Sequence, residues 1–261
     1  METQARQMLN KVPLVTLIFW IIKIMATTVG ETGADFLNET MGLGLVNTSY
    51  VVGGLCLIVL IFQLRSNRYI PGIYWLVVVL ISVVGTLISD NLVDNLGVSL
   101  ETTSLIFGIA LIVVFVLWYV SEKTLDVNTI LTTKRELFYW AAILCTFALG
   151  TSAGDLLAEQ LNFGYALSAV MFISVIMIVF VAHRMAHLHG VFAFWTAYIL
   201  TRPLGASLGD LLTQAPKDGG FGISTTVVNI VFLLIMISLV VYLTGHENRR
   251  LKQIEVNPSP V

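Results

Sequence analysis

Along its 261 residues the chain alternates long apolar runs with short polar breaks. Runs near 13–37, 47–64, 71–92, 101–120, 137–158, 163–182, 191–212 and 223–243 are each long enough to cross about 30 Å of hydrocarbon as a helix. They lack the every-other-residue alternation of barrel strands, and only helices or closed barrels satisfy every backbone polar group in lipid. The pattern predicts an all-α integral membrane protein of eight transmembrane helices.

The polar positions inside the runs recur at fixed spacing. Aligned on Trp20, Trp75, Trp140 and Trp195, a glycine follows ten residues later (Gly30, Gly85, Gly150, Gly205) and an aspartate fifteen residues later (Asp35, Asp90, Asp155, Asp210). A small residue precedes each aspartate (Ala34, Ser89, Gly154, Gly209), and a leucine follows two after it (Leu37, Leu92, Leu157, Leu212). Four after each aspartate stands Glu39, Asp94, Glu159 or Gln214. Thirteen after it, three units carry a hydroxyl (Thr48, Thr103, Ser168), and the fourth offers Thr225 or Thr226 after an insertion. Self-similarity of this kind marks a tandem array, here of two-helix units at 13–64, 71–120, 137–184 and 191–243. Residues 121–133 form a cytoplasmic linker and 244–261 a cytoplasmic tail. Two spans per unit give all four the same orientation, so the expected arrangement is parallel repeats, pseudo-symmetric about an axis along the membrane normal. These motifs, over about Pro13 to Leu243, resemble the bacterial family of membrane-anchored proteins defined by four tandem repeats of unknown function. The resemblance implies two transmembrane regions and a characteristic tryptophan per repeat, and it implies no activity.

Composition agrees with a membrane solvent. Charged residues make up 11% of the chain and mean hydropathy is +0.88, against roughly 25% charge in soluble domains. Eleven of the fourteen basic residues, Lys11, Arg65, Lys134 and Arg184 among them, fall on one side of an eight-span arrangement. By the positive-inside tendency that side is cytoplasmic, as are both termini, and a bacterial inner membrane is the expected location. Asp35, Glu39, Asp90, Asp94, Glu101, Asp155, Glu159, Asp210 and Asp218 fall at or near the other side. Cys56 and Cys145 stand alone, which gives no disulfide framework or thiolate site.

Helical neighbours four apart share a face, and each odd span carries a polar stripe: Lys23, Thr27, Glu31, Asp35 and Glu39 in the first. The second stripe is Ser82, Thr86, Asp90 and Asp94; the third Thr151, Asp155 and Glu159; the fourth Arg202, Asp210 and Gln214. An ionisable group at membrane depth costs at least about 2.5–3.5 kcal/mol and normally faces protein or a water cavity. The four stripes are therefore expected to converge. Converging carboxylates (Asp35, Asp90, Asp155, Asp210, with Glu31, Glu39, Asp94 and Glu159) make an oxygen-rich site for a hard cation, including a bound metal, and natural proton carriers. The opposing reading ends the odd helices at the water interface, with the aspartates as solvated loop acids. Lys23 and Arg202 are counter-charges, Arg202 beside the helix-breaking Pro203.

The glycines with their small partners read as close helix packing, and the tryptophans as packing residues anchored in the interfacial belt. His183, His187 and His189 cluster beside Arg184, and the first two have a metal-compatible i, i+4 spacing. No nucleotide-binding or nucleophile motif appears, so neither an enzyme nor a nucleic-acid partner is expected, and no cofactor is required. The expected function is a small-cation transporter or channel, for a divalent metal or coupled to protons, in contact with lipid and ion. The alternative is a membrane scaffold or sensor whose stripes are structural.

Overall fold

A computed structural model describes residues 10–256, with side chains up to Arg249. Among these the regular elements are helical: α1 (Leu17–Asp35), α2 (Leu45–Arg65), α3 (Pro71–Asp90), α4 (Leu100–Glu122), α5 (Thr133–Asp155), α6 (Gly164–Met185), α7 (Gly190–Thr213) and α8 (Thr225–Val256). Their starts are set locally. Thr16, Ser99 and Thr132 accept the backbone N–H three residues on, at the heads of α1, α4 and α5, which satisfies a donor with no partner inside the helix. Pro71 opens α3, where its missing N–H costs nothing.

Seven of the eight are long and apolar enough to cross a membrane. The exception, α7, has 24 residues but carries Thr201, Arg202, Ser207 and Asp210, all of them buried. A helix walled off by protein need not be apolar, so its composition follows from its position.

That position is an inner ring. The odd helices pack in chain order, α1 on α3, α3 on α5, α5 on α7, and α7 back on α1. The even helices lie outside, with faces such as Tyr50, Leu57, Ile112, Ile178 and Leu234 exposed. Each even helix packs on the odd helix of the following unit: α2 on α3, α4 on α5, α6 on α7, and α8 on α1. A unit therefore does not bury its own two helices against each other, and the last closes on the first. Asn229 of α8 seals that closure, donating to the Thr32 carbonyl (3.0 Å) and accepting from the Thr32 hydroxyl (2.9 Å).

Close approach within the ring is made by the repeated glycines. A methyl group on Gly85, Gly150 or Gly205 would come within 2.6 Å of the Cβ of Phe147, Arg202 or Thr27, and one on Gly30 would overlap Ser82. In every case the neighbour stands eight residues before the aspartate of the next unit, so one contact is used four times. Gly85→Ala should therefore destabilise the protein by about 1–3 kcal/mol, because Phe147 Cβ and the Ala148 backbone cannot move aside. Gly108→Ala, with open space around its Cβ position, should leave the thermal midpoint in detergent unchanged. Equal midpoints for the two variants would refute this packing role.

The tryptophans pack differently from the interfacial belt expected of them. Trp75, Trp140 and Trp195 are 2%, 3% and 5% exposed. The residue before each repeat tryptophan packs on the tryptophan of the next unit: Phe19 on Trp75, Tyr74 on Trp140, Tyr139 on Trp195 and Phe194 on Trp20, with ring centroids 5.4–6.1 Å apart. The belt closes the ring inside the protein, where aromatic pairs add to area burial.

Below this belt, residues 10–15 and the loop between α4 and α5 cover the basic end. The Lys11 N–H donates to the Ile130 carbonyl (3.0 Å), Asn10 donates to Val127 (3.3 Å), and the Trp195 indole donates to Leu125 (2.9 Å). Lys11, counted above among the basic residues of the cytoplasmic side, is buried. Its ammonium pairs with Glu136 at 2.8 Å and donates to the Leu64 carbonyl at 3.0 Å. Arg6 lies outside the described residues, and the side chains of Arg250 and Lys252 lie outside the described ones too. Helix α8 carries on into the expected tail, as far as Val256.

Candidate functional site

Where α1, α3 and α5 reach the acidic end, each passes from α-helix into a π-helical turn just after its aspartate: Phe36–Thr40, Asn91–Asn95 and Leu156–Gln160. In each, an i+5 bond closes the turn, as in Met41 N–H to Phe36 at 2.9 Å. Such turns are rare and often sit at functional sites. The extra residue per turn brings Glu39, Asp94 and Glu159 round to the same space as the aspartates. In the fourth unit α7 ends instead at Thr213, and Phe221 and Ile223 bond back to Leu211 and Leu212 across the insertion.

That space is a cavity of about 240 Å³ walled by Asp35, Asp90, Asp155 and Asp210, with Glu31 deeper and Glu39, Asp94 and Glu159 exposed around it. All eight carboxylates singled out from the sequence line this one cavity. Asp210 and Glu31 are each 6% exposed. Among the described residues no three His, Cys, Asp or Glu side chains are grouped so as to hold one metal ion. The carboxylates stand around a space with room for several waters without closing on its centre, so an ion here would keep part of its hydration shell.

Behind Glu31, the deepest of these carboxylates, the Arg202 guanidinium is fully buried. It donates to Glu31 Oε2 (2.6 Å), to Thr151 Oγ1 (2.6 Å), to the Thr27 carbonyl (3.3 Å) and to Thr86 Oγ1. Glu31, Thr86 and Thr151 each stand four residues before their unit's aspartate, so one arginine from α7 ties the other three inner helices together. Thr86 also donates to Glu31 at 3.3 Å. Helix α7 runs on through Pro203, whose ring packs with Arg202 against Gly150. Below Arg202 the ammonium of Lys23, also fully buried, lies 4.2 Å from the Tyr198 ring centroid and 4.3 Å from that of Phe147. Two aromatic faces are a favourable environment for a desolvated cation.

The histidines do not use the i, i+4 spacing noted above. Helix α6 ends at Met185, and His187 follows in a left-handed conformation (φ 54°), so His183 and His187 do not share a helical face. The His183 Nδ1 is bonded to the Leu188 carbonyl at 2.7 Å.

Sequence reasoning missed Glu136, which is fully buried between Lys11, Gln63 and Trp140. It stands four residues before a repeat tryptophan, where the other units have Thr16, Pro71 and Val191. That departure from the repeat was the available signal. No curated protein and no solved structure matches the chain. Four consecutive segments, 18–69, 73–124, 138–188 and 193–248, match the family described as Repeat of Unknown Function (DUF347), and the chain belongs to that family.

Proposed function

We propose that the protein is a carrier of small cations in the bacterial inner membrane, with the acidic cavity as its loading site and the Arg202–Glu31 pair as its gate. In this reading α7 crosses the membrane with the other seven helices, and the four units surround a pseudo-fourfold axis along the membrane normal. The basic end faces the cytoplasm. The carrying observation is the convergence of four register-equivalent aspartates and Glu31 on one cavity, with Glu31 held from behind by the buried Arg202. A ring of oxygens gathers cations and releases them more readily as pH falls, since protonation removes the charge that competes with hydration.

The axis favours a carrier over an open channel. Beneath Arg202 it is filled by Lys23, Phe147 and Tyr198, all fully buried, and two fixed positive side chains oppose passage of a further cation. Passage requires Arg202 to leave Glu31, which couples opening to the charge state of the cavity.

The test is flux into liposomes carrying the purified protein, with a panel of monovalent and divalent cations and with or without a pH gradient. Asp90→Asn or Asp155→Asn keeps size and hydrogen bonding while deleting one charge. Either should lower flux about tenfold, which corresponds to ~1.4 kcal/mol of lost ion stabilisation, at an unchanged thermal midpoint. A wild-type protein that moves no cation of the panel refutes transport and returns the acidic ring to a sensing or scaffolding role.

A further inference from the structure

We infer that the transported charge is a proton, handed through the closed half of the ring by a tyrosine relay, Tyr198, Tyr139, Tyr74 and Tyr69, to a second cavity at the basic end. This rests on the transport reading above and names its substrate.

The residues step around the ring one helix at a time while descending it. Tyr198 of α7 stands one helical turn nearer the acidic end than Tyr139 of α5 and Tyr74 of α3, which share a register position. The three are 0%, 1% and 0% exposed. The Tyr139 and Tyr74 hydroxyls are bonded at 2.5 Å, and the Tyr198 hydroxyl is buried with no hydrogen-bond partner. The Tyr74 ring packs edge-on against Tyr69 with centroids 5.5 Å apart. Tyr69 lies in the loop between α2 and α3 and lines a cavity of about 210 Å³, together with Asn10, Trp75, His246 and Glu247. Burial, and behind it the Glu247 carboxylate, hold the Tyr69 phenol above its usual range, so it is a hydroxyl at neutral pH.

Packing alone does not require these hydroxyls. The position of Tyr74 and Tyr139 is Phe19 and Phe194 in the other two units, and the position of Tyr198 is Val78 and Ile143 in two of the others. A buried hydroxyl costs free energy unless it is bonded, and those of Tyr198 and Tyr69 are left unbonded, so phenol groups kept where phenylalanine, valine or isoleucine serves elsewhere point to proton handling. The filled axis below Arg202 gives a hydrated metal ion no room, whereas a proton needs only adjoining lone pairs.

At the top, a proton taken by Glu31 removes the partner of Arg202 and frees the arginine behind the cavity. The Lys23 ammonium, over the Tyr198 ring, gives one proton to the Tyr198 hydroxyl and takes the arriving one in its place. At each hydroxyl an arriving proton forms one O–H bond as the oxygen's own proton leaves for the next oxygen. One positive charge thus crosses with no other bond changed, and Glu247 or His246 releases it.

The experiment uses the full chain in liposomes holding a trapped pH dye, with a potassium diffusion potential as the driving force. Wild type should acidify the lumen. Tyr139→Phe should slow the initial rate about a hundredfold, the scale of a lost positioned proton-transfer group, with its thermal midpoint kept. Tyr50→Phe, on the exposed face of α2, should run at the wild-type rate. Tyr139→Phe conducting protons like wild type overturns the relay. So does wild type moving a metal cation without protons, an outcome that leaves the carrier standing. Movement of neither overturns the relay and the carrier together.

Discussion

Glu31→Gln should lower the thermal midpoint in detergent more than any substitution among the acidic-end carboxylates, at a cost of about 3–5 kcal/mol. The reason is the partner left behind. Arg202 is fully buried, so deleting the Glu31 charge strands a cation that two threonines and a carbonyl cannot neutralise. The aspartates of the next layer attract Arg202, yet of the cavity carboxylates it is Glu31 that bonds it. Arg202→Gln should cost less, because the stranded Glu31 borders the cavity and can meet water or a proton there. Asp94→Asn, at an exposed carboxylate of the same cavity, should stay within about 0.5 kcal/mol of wild type. The order Glu31→Gln, Arg202→Gln, Asp94→Asn in loss of midpoint is the checkable content. Equal midpoints for Glu31→Gln and Asp94→Asn would mean that the ion pair is not a fixed gate.

Sequence alone carried the helices and the inner faces, for a definite reason. Apolar length is dictated by hydrocarbon thickness, and a polar stripe at four-residue spacing must be shielded from lipid. The convergence of Asp35, Asp90, Asp155 and Asp210 follows from that constraint with no tertiary information. What sequence did not carry is pairing between units. Nothing in the spacing says that α2 packs on α3 in preference to α1, because an apolar outer helix fits either neighbour and the choice is made by connections and the glycine contacts. The tryptophans illustrate the same limit. A tryptophan near the end of a span suits the interface and the interior equally, and it is the ring geometry that buries Trp75, Trp140 and Trp195. Asn229, not Thr225 or Thr226, makes the buried contact of α8 with α1 because the insertion after Gln214 shifts the helix start.

Breaks in the repeat mark the chemistry more sharply than the repeat does. Glu31, where two other units have threonine and one alanine, is the residue that holds Arg202. Arg202 and Lys23 each occur once, and both are fully buried inside the ring. The three tyrosines replace phenylalanine, valine or isoleucine elsewhere. Four equivalent units build a ring and a shared cavity, and single substitutions within it then give that ring a direction.

At the opposite end, Lys11→Met should cost about 3–5 kcal/mol and loosen the segment that covers the ring. Glu136 would keep its bonds from Gln63 (2.8 Å) and Trp140 (3.4 Å) but would be a fully buried carboxylate with no counter-charge, the situation in which breaking an ion pair is most destabilising. Glu136→Gln should also destabilise, since the Lys11 ammonium would keep only the Leu64 carbonyl and a weaker acceptor. The double variant Lys11→Met with Glu136→Gln should recover part of the loss, because neither charge is then stranded, with a coupling energy of about 0.5–3 kcal/mol. A second measurement separates this contact from general stability. Ile130 is fully buried beneath the segment that bonds Lys11, so a cysteine at Ile130 should react slowly with a membrane-impermeant maleimide in wild type and faster once Lys11 is methionine. Strict additivity of the two single variants, together with unchanged labelling at Ile130, would show that the ion pair neither couples the two segments nor holds the basic end closed.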